Sequence, residues 1–220
     1  MSLEMGRIAA VDGITDIVCT PHVYSGFGPF QPRDAAPAVA TLQSAFDEAG
    51  VPIRLHVCCE MPLLENYREL LHDGRWLPYD SASRYYLLEM PPIPHGFPIL
   101  ERAVAVLLSE DCIPVLAHPE RLEMLADPAR AQALHKAGAV FQVTASCYAS
   151  DHAIPEYRRR ALDWLDRGWV AVVATDAHRP DRRPPLLSVA RSRVAADYGE
   201  AVAQALFETH PRAILDGKDL

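Results

Sequence analysis

Short apolar runs alternate with longer amphipathic stretches along almost the whole chain, and this alternation limits the possible folds more than any other feature. The runs are rich in β-branched residues, as buried strands are. They predict six strands, at residues 16–20, 53–58, 85–88, 113–117, 140–144 and 169–175. Strands that are apolar on both faces are typical of a parallel sheet covered by helices.

Between the strands, apolar residues return every three or four positions, which is the period of a helix with one buried face. This period predicts helices at residues 35–49, 99–109, 128–137 and 154–167, with outer helical stretches at 186–196, 199–209 and 211–215. Residues 4–10 also have a helical pattern, although no capping residue precedes them. The repeated strand-helix order predicts an α/β fold, either a barrel or a doubly wound sheet.

Length and composition fit one such domain spanning residues 1–220. The chain has 220 residues, of which 50% are hydrophobic, and this is enough to bury the core of an α/β barrel. We find no internal repeat or linker that would divide it. The net charge of −8 argues against a nucleic-acid-binding surface, because such a surface needs clustered Lys and Arg.

The chain also lacks the features of a secreted or membrane-inserted protein. No apolar stretch approaches the roughly 20 residues that cross a bilayer. The five cysteines are an odd number without regular spacing, so they predict neither a disulfide framework nor a zinc ribbon. We therefore expect a cytoplasmic protein that is not inserted in a membrane.

Polar side chains follow five of the six predicted strands. Any one of them would most often be an ordinary loop residue or helix cap. In a parallel barrel, however, the carboxyl ends of all strands open on one mouth, so polar residues at these ends converge. The residues in these positions are His22, Glu60, Glu89, His118, Asp176 and His178. Their joint occurrence favours the barrel and predicts one shared site.

The chemistry of these residues indicates a metal centre. Imidazoles and carboxylates without a thiolate suit Mn²⁺, Zn²⁺ or Fe²⁺ rather than copper(I) or an iron–sulfur cluster. Carboxylates can bridge cations, and a multinuclear centre can clamp both the attacking and the leaving oxygen of a phosphoryl group. The sequence therefore predicts a metal-dependent phosphoester hydrolase that uses hydroxide formed from water by the cations, with Mn²⁺ or Zn²⁺ as the first candidates.

Several motifs resemble those of the polymerase and histidinol phosphatase (PHP) superfamily in order and spacing, across nearly the whole chain. They are Cys19-Thr20-Pro21-His22, Cys59-Glu60, Leu87-Leu88-Glu89, Ala117-His118-Pro119-Glu120-Arg121 and Thr175-Asp176-Ala177-His178. Within the superfamily, the segment 142–146 and the run Arg183-Pro184-Pro185 are most similar to the manganese-dependent protein-tyrosine phosphatases of bacterial capsule and exopolysaccharide loci.

The resemblance implies a distorted seven-stranded (β/α)7-type barrel with a trinuclear metal cluster. By this resemblance Glu60 would bridge two cations, and Glu89 with His118 would complete one of these two sites. Asp176 would belong to the second site.

The third cation would be held by His22 and His178. The resemblance also implies two arginines that bind the phosphate, and these align with Arg121 and Arg183. The planar guanidinium group donates two parallel hydrogen bonds, which suits phosphate oxygens.

Residues 1–220 depart from the family in one respect, because the family begins with a strand carrying Asp-x-His-x-His and this stretch is not found here. The Asp176 site would then lack two imidazoles and the His22 and His178 site one ligand, so we expect an incomplete multinuclear centre. The barrel would also have an open seam between two strands. A natural start further upstream would supply the strand; otherwise homo-oligomerisation or a substituted segment could cover the seam.

The resemblance implies a phosphotyrosine protein as the substrate and a tyrosine kinase of polysaccharide export as a partner. Two alternatives stay open at this point. One is a phosphatase of small phosphoesters, of the histidinol-phosphatase type. The other is a catalytically impaired remnant with a binding role, which the absent His-x-His would explain.

The remaining candidate groups are expected to be structural. Cys147 is the nearest rival nucleophile, but no phosphate-binding loop follows it. The aromatic loop at residues 23–28 and Tyr148 could line a phosphotyrosine cleft, although aromatic loop residues more often pack. The histidines outside the pattern of strand ends are interpreted as structural or solvated, with His95 the nearest to the mouth: His56, His72, His95, His135, His152 and His210.

Overall fold

The computed structural model describes residues 1–22, 32–63, 66–93, 95–149 and 153–220. Parallel strands and helices alternate along the chain, so the predicted α/β class is confirmed. The elements are α1 (Ser2–Val11), β1 (Asp16–Cys19), α2 (Pro32–Glu48), β2 (Arg54–Val57), β3 (Met61–Pro62), α3 (Tyr67–His72), β4 (Tyr85–Glu89), α4 (Phe97–Ser109), β5 (Ile113–Ala117), α5 (Pro128–Ala137), β6 (Val140–Thr144), α6 (Ser146–Ala149), α7 (Pro155–Asp166), β7 (Val170–Ala174), α8 (Ser188–Tyr198), α9 (Glu200–Gln204) and α10 (His210–Leu215).

All six predicted strands are found, each within one residue of its predicted bounds. The short elements β3, α3 and α6 were not predicted, because they span too few residues to show a period. A π-helical turn at Ala205–Thr209 joins α9 to α10. The aromatic loop at residues 23–28 and His152 lie outside the described residues. In the ranges that the structure describes, no helix is both long enough and apolar enough to cross a membrane.

The strands form two parallel sheets, β1-β2 and β3-β4-β5-β6-β7. A short stretch of chain connects the two sheets, because only residues 58–60 separate β2 from β3. The backbone N–H of Cys58 still donates to Cys19 O of β1 (3.0 Å), whereas that of Leu63 donates to Glu89 O of β4 (2.7 Å). Glu60 therefore lies where the chain changes its pairing partner.

Strands β4 and β5 are almost uniformly apolar because both of their faces are buried. In β4, Tyr86 and Leu88 belong to the large core between the sheet and its outer helices. Tyr85 and Leu87 of the same strand belong to a second core on the inner face, which also contains Ile214 of α10. Burial on both faces removes the alternation of polar and apolar residues that a half-exposed strand shows.

Within the described residues, β7 and β1 are edge strands of the two sheets, and no ladder of backbone hydrogen bonds joins them. Helix α10 lies against both of them. His210 Nδ1 donates to Ala171 O of β7 (2.8 Å), and Arg212 Nη2 lies 2.9 Å from Asp16 Oδ2 of β1. The seam predicted from the sequence is thus bridged by side chains of the C-terminal helix.

The outer helices are also joined across this seam. Asp12, which follows α1, accepts hydrogen bonds from the backbone N–H groups of Leu187 (2.6 Å) and Ser188 (2.9 Å) at the start of α8. The first N–H groups of a helix have no partner within the helix, so a carboxylate stabilises them. A residue near the beginning of the chain therefore caps a helix near its end.

Candidate active site

Four predicted site residues from four strand ends meet at the carboxyl-terminal ends of the strands, which we call the mouth. His22 Nε2 lies 3.0 Å from Glu89 Oε2 and 3.9 Å from Glu60 Oε2. His118 Nε2 lies 3.2 Å from Glu60 Oε1 and 3.5 Å from Glu89 Oε1. We refer to these four residues as the carboxylate–imidazole cluster.

The pKa values in this cluster reflect mutual pairing in a half-buried place. The hydrogen bond to Glu89 raises the pKa of His22 against the effect of burial. Burial lowers the pKa of His118, but its interaction with Glu60 outweighs this and leaves the pKa raised. Burial raises the pKa of Glu89, and the two imidazoles overcome this, so the net shift is downward. Two carboxylates can lie side by side here because two imidazoles offset their repulsion.

The cluster fits a divalent cation. His22, Glu60 and Glu89 each offer one ligand atom, and these three atoms lie within 4.8 Å of one another. His118 Nε2 lies within 3.5 Å of an oxygen of each carboxylate, although it is not one of these three converging ligands. Nitrogen and oxygen donors without sulfur suit cations such as Mn²⁺, Zn²⁺ or Fe²⁺.

Asp176 lies beyond the end of β7, and its carboxylate is engaged by both predicted phosphate-binding arginines. Asp176 Oδ2 accepts hydrogen bonds from Arg121 Nη2 (2.6 Å) and Arg183 Nη1 (2.5 Å). Arg121 Nη2 also donates to Thr144 Oγ1 at the end of β6 (2.9 Å). We refer to these four residues as the arginine–aspartate cluster. It brings two guanidinium groups to the mouth.

His178 is placed differently from the other predicted site residues. Its side chain is 50% exposed, and its Nδ1 donates to the backbone oxygen of Asp176 (2.9 Å). Nδ1 also lies 3.6 Å from Asp176 Oδ1. His178 is not part of the described group of converging ligand atoms that contains His22. Among the described residues, the structure therefore does not bring His178 together with His22, its implied partner at the third cation.

Three of the six described non-glycine residues with a positive φ angle lie at the mouth. His118, Asp176 and Arg183 have φ angles of 34°, 50° and 59°, in the left-handed region that side chains with a Cβ rarely adopt. Such conformations cost free energy and are found mainly where function requires a particular side-chain direction. His95, on the segment that follows β4, has a φ of 58° as well.

Two residues of the mouth were not assigned a role by the sequence reading, although both belong to quoted motifs. Thr144 binds Arg121, as described above. Glu120 is fully buried, and its Oε1 accepts a hydrogen bond from Thr144 N (3.2 Å). Their position within the motifs was the one feature of the sequence that could have indicated a role. The spacing of a motif does not show which of its side chains are directed towards the site.

The cysteine and histidine side chains that we interpreted as structural have surroundings that fit this interpretation, for those among the described residues. Cys147 is 3% exposed, and burial together with the nearby Glu120 raises the pKa of its thiol to about 12. A thiol in this environment is a poor nucleophile, because the thiolate is the reactive form. His56 binds Asp16 (2.8 Å), and the ring of His135 stacks on Trp169.

The model of the family described as "Capsular polysaccharide synthesis, CpsB/CapC" matches residues 1–216. The chain belongs to the CpsB/CapC family. The PHP-type resemblance inferred from the motifs is thereby confirmed.

Relatives in this family are named as phosphatases. The chain is 30% identical over 144 residues to the tyrosine-protein phosphatase CpsB of Streptococcus pneumoniae, which covers 63% of this chain and 59% of that protein. It is 27% identical over 183 residues to the tyrosine-protein phosphatase YwqE of Bacillus subtilis, covering 83% of this chain and 71% of that protein. The match to the pneumococcal protein thus spans less than two thirds of that relative.

A solved structure shares the fold. It comes from work described as "Crystal structures of YwqE from Bacillus subtilis and CpsB from Streptococcus pneumoniae, unique metal-dependent tyrosine phosphatases". The TM-score is 0.88 at 23% identity, and the match covers 99% of this chain and 87% of that chain. At this identity the likeness establishes the fold, which agrees with the predicted PHP-type architecture.

Proposed function

We propose that this CpsB/CapC family protein is a metal-dependent phosphoester hydrolase that removes phosphate from tyrosine residues of proteins in capsular or exopolysaccharide synthesis. The observation that carries the proposal is the meeting of two carboxylates and two imidazoles at the mouth, beside two arginines. The names of its relatives favour phosphotyrosine as the substrate.

The carboxylate–imidazole cluster is the proposed cation site, with Mn²⁺ as the first choice and Zn²⁺ or Fe²⁺ as alternatives. A divalent cation bound there would polarise a phosphoryl oxygen and lower the pKa of water, so that hydroxide is available near neutral pH. Glu60 and Glu89 supply the negative charge that offsets the cation. His22 and His118 are held in place by these carboxylates (3.0 and 3.2 Å).

The arginines are the proposed phosphate-binding groups. Arg121 and Arg183 both donate to the same carboxylate oxygen of Asp176, so the two guanidinium groups lie close together. Each can donate further hydrogen bonds, because a guanidinium has five N–H groups. A phosphoryl group between them would have its negative charge stabilised while it is transferred.

Asp176 and His178 are proposed to extend the centre to further cations. Asp176 Oδ2 is occupied by the arginines, whereas Oδ1 lies 3.6 Å from His178 Nδ1. Because the arginines bind only Oδ2, Oδ1 is the oxygen of Asp176 proposed as a cation ligand.

We further propose that the protein acts in the cytoplasm, on phosphotyrosine of a kinase of polysaccharide export. All five cysteines are free thiols, which is typical of a reducing compartment.

The test is a hydrolysis assay with a phosphotyrosine peptide and with histidinol phosphate, at increasing Mn²⁺. We expect turnover of the peptide that needs Mn²⁺, stops with a chelator and persists in Cys147→Ala, whose thiol has no role in this mechanism. Hydrolysis of histidinol phosphate in preference to the peptide would indicate a phosphatase of small metabolites. No turnover at any Mn²⁺ concentration would indicate a binding role instead.

A further inference from the structure

A buried carboxylate behind the mouth has no role in the mechanism proposed above. Glu120 is fully buried, and its Oε2 has no hydrogen-bond partner among the described residues. Removing a carboxylate from water is unfavourable unless its charge is used by neighbouring groups. The groups that contact the Glu120 carboxylate indicate what its charge stabilises.

Glu120 Oε1 contacts two members of the arginine–aspartate cluster, and it also lies 3.9 Å from the thiol of Cys147. It accepts a hydrogen bond from the backbone N–H of Thr144 (3.2 Å), and it lies 3.9 Å from Arg121 Nε. The hydroxyl of Thr144 in turn accepts from Arg121 Nη2 (2.9 Å). Glu120 therefore acts on Arg121 both directly and through Thr144.

The carboxylate is not needed to hold its own loop in place. The buried Arg160 of α7 does this through the backbone, because its Nη1 donates to Glu120 O (2.9 Å) and to Leu122 O (3.1 Å). Arg160 Nη2 also binds the carboxylate of Glu123 (2.6 Å). The Glu120 side chain is thus available for a more specific role.

Asp176 cannot fix Arg121 alone, since its Oδ2 is shared with Arg183 Nη1 (2.5 Å). Arg121 uses both donors of Nη2 on Thr144 and Asp176, and its Nε faces Glu120. The two donors of Nη1 have no partner among the described residues and remain for a phosphate. The orientation of these donors depends on the groups that hold Nε and Nη2.

We propose that Glu120 is a positioning residue that, together with Thr144, fixes the guanidinium of Arg121 in the orientation that binds a phosphoryl group. This inference rests on the proposed function, in which Arg121 binds phosphate. It adds a residue that does not touch the substrate and acts only through Arg121.

The test is a double-mutant cycle read out by the affinity for inorganic phosphate, measured by calorimetry on the full chain with Mn²⁺ present. Glu120→Gln keeps the size of the side chain and an acceptor for Thr144 N–H but removes the charge. We expect it to weaken phosphate binding by about tenfold, the low end of the effect of residues that orient a ligand-binding group. In an Arg121→Lys background, Glu120→Gln should have no further effect, because the group through which it acts has changed.

Asp80→Asn is the matched control. Asp80 is also a buried carboxylate, and it accepts a backbone hydrogen bond from Tyr85 (2.8 Å) at the start of β4, away from the mouth. Asp80→Asn should lower stability and leave phosphate affinity unchanged. If Glu120→Gln does not fold, Thr144→Val serves in its place, with a loss of roughly threefold that also disappears in the Arg121→Lys background.

Two results would overturn the inference. Equal losses of phosphate affinity from Glu120→Gln in both backgrounds would show that Glu120 acts independently of Arg121, and an unchanged affinity would show that it does not act on the site. In either case a loss caused by Arg121→Lys leaves the proposed function standing. If Arg121→Lys itself binds phosphate like the wild type, the proposed role of the arginines and this inference fail together.

Discussion

Two aspartates of the protein are bound by arginine with a histidine nearby, one at the start of a strand and one beyond the end of another, and the two groups have different characters. At the mouth, Asp176 binds Arg121 and Arg183. Asp16 at the start of β1 binds His56 (2.8 Å) and Arg212 (2.9 Å), and we refer to these three residues as the base cluster. Residue types alone would not tell the two apart.

The two groups differ in whether their hydrogen-bonding atoms already have partners within the protein. In the base cluster both oxygens of Asp16 have partners, since Thr15 also donates to Oδ2 (2.8 Å). Burial opposes ionisation of Asp16, but these partners outweigh it and lower the pKa from 3.8 to about 2. At the mouth the backbone is strained, and two further carboxylates lie nearby. A self-contained ion cluster is structural, whereas strain combined with remaining binding capacity marks a functional site.

The largest effect is expected for Glu60→Gln at the mouth. The amide removes one negative charge and weakens any cation held by the carboxylate–imidazole cluster. We expect kcat/KM for a phosphotyrosine peptide to fall by about 10³-fold, the scale on which single electrostatic groups contribute to catalysis. Urea unfolding should show little change in stability. A variant that unfolds easily and retains its activity per folded molecule would reverse the assignment of the two clusters.

The next effect concerns the base cluster. Because the pKa of Asp16 is lowered in the folded protein, its contribution to stability is present above pH 4 and is lost as the pH falls from about 4 through 2. The shift corresponds to about 2 kcal/mol. Asp16→Asn should therefore lower the free energy of unfolding by about 2 kcal/mol at pH 7 and by about half of that at pH 3. Its activity in the folded state should equal that of the wild type; a loss would contradict the structural role.

A smaller effect is expected for Arg183→Lys. Lysine retains the charge but not the planar fork that binds two phosphate oxygens together. We expect kcat/KM to fall roughly tenfold, which corresponds to about 1.4 kcal/mol of transition-state binding. The measurement is steady-state kinetics at saturating Mn²⁺. An unchanged kcat/KM would show that Arg183 serves only as the ion partner of Asp176.

The smallest effect is expected at the seam, for His210→Ala. The variant loses the hydrogen bond from Nδ1 to Ala171 O on the outer edge of β7 (2.8 Å). We expect a loss of about 1 kcal/mol in stability, the usual net value of such a bond. Thermal unfolding of the two proteins measures it. A change in kcat/KM without a change in stability would mean that the contact made by α10 affects the active site.

The fold could largely be predicted because its signals are local. Strand β5 was predicted with its observed bounds, since burial on both faces makes it uniformly apolar. The bounds of α5 follow from Asp127, which caps its first turn, and from Gly138, whose φ of 110° ends it. The bridging of the seam by α10 was not predictable, because it depends on side chains that are distant in sequence from the strands they contact.

The site could be predicted only as far as strand ends determine it. His22, Glu60, Glu89 and His118 come together because each follows a strand of a parallel arrangement. The direction of a side chain beyond the strand depends on the loop instead. For this reason it could not be predicted that His178 lies outside the carboxylate–imidazole cluster or that Asp176 binds both arginines.

The central claim is that the carboxylate–imidazole cluster binds a divalent cation, and titration of the protein with Mn²⁺, followed by calorimetry, tests it most directly. Wild-type protein and the base-cluster variant Asp16→Asn should bind Mn²⁺ with the same affinity, whereas Glu89→Gln should bind it at least about tenfold more weakly. Equal Mn²⁺ affinity of Glu89→Gln and the wild type, with both proteins folded, would contradict the account.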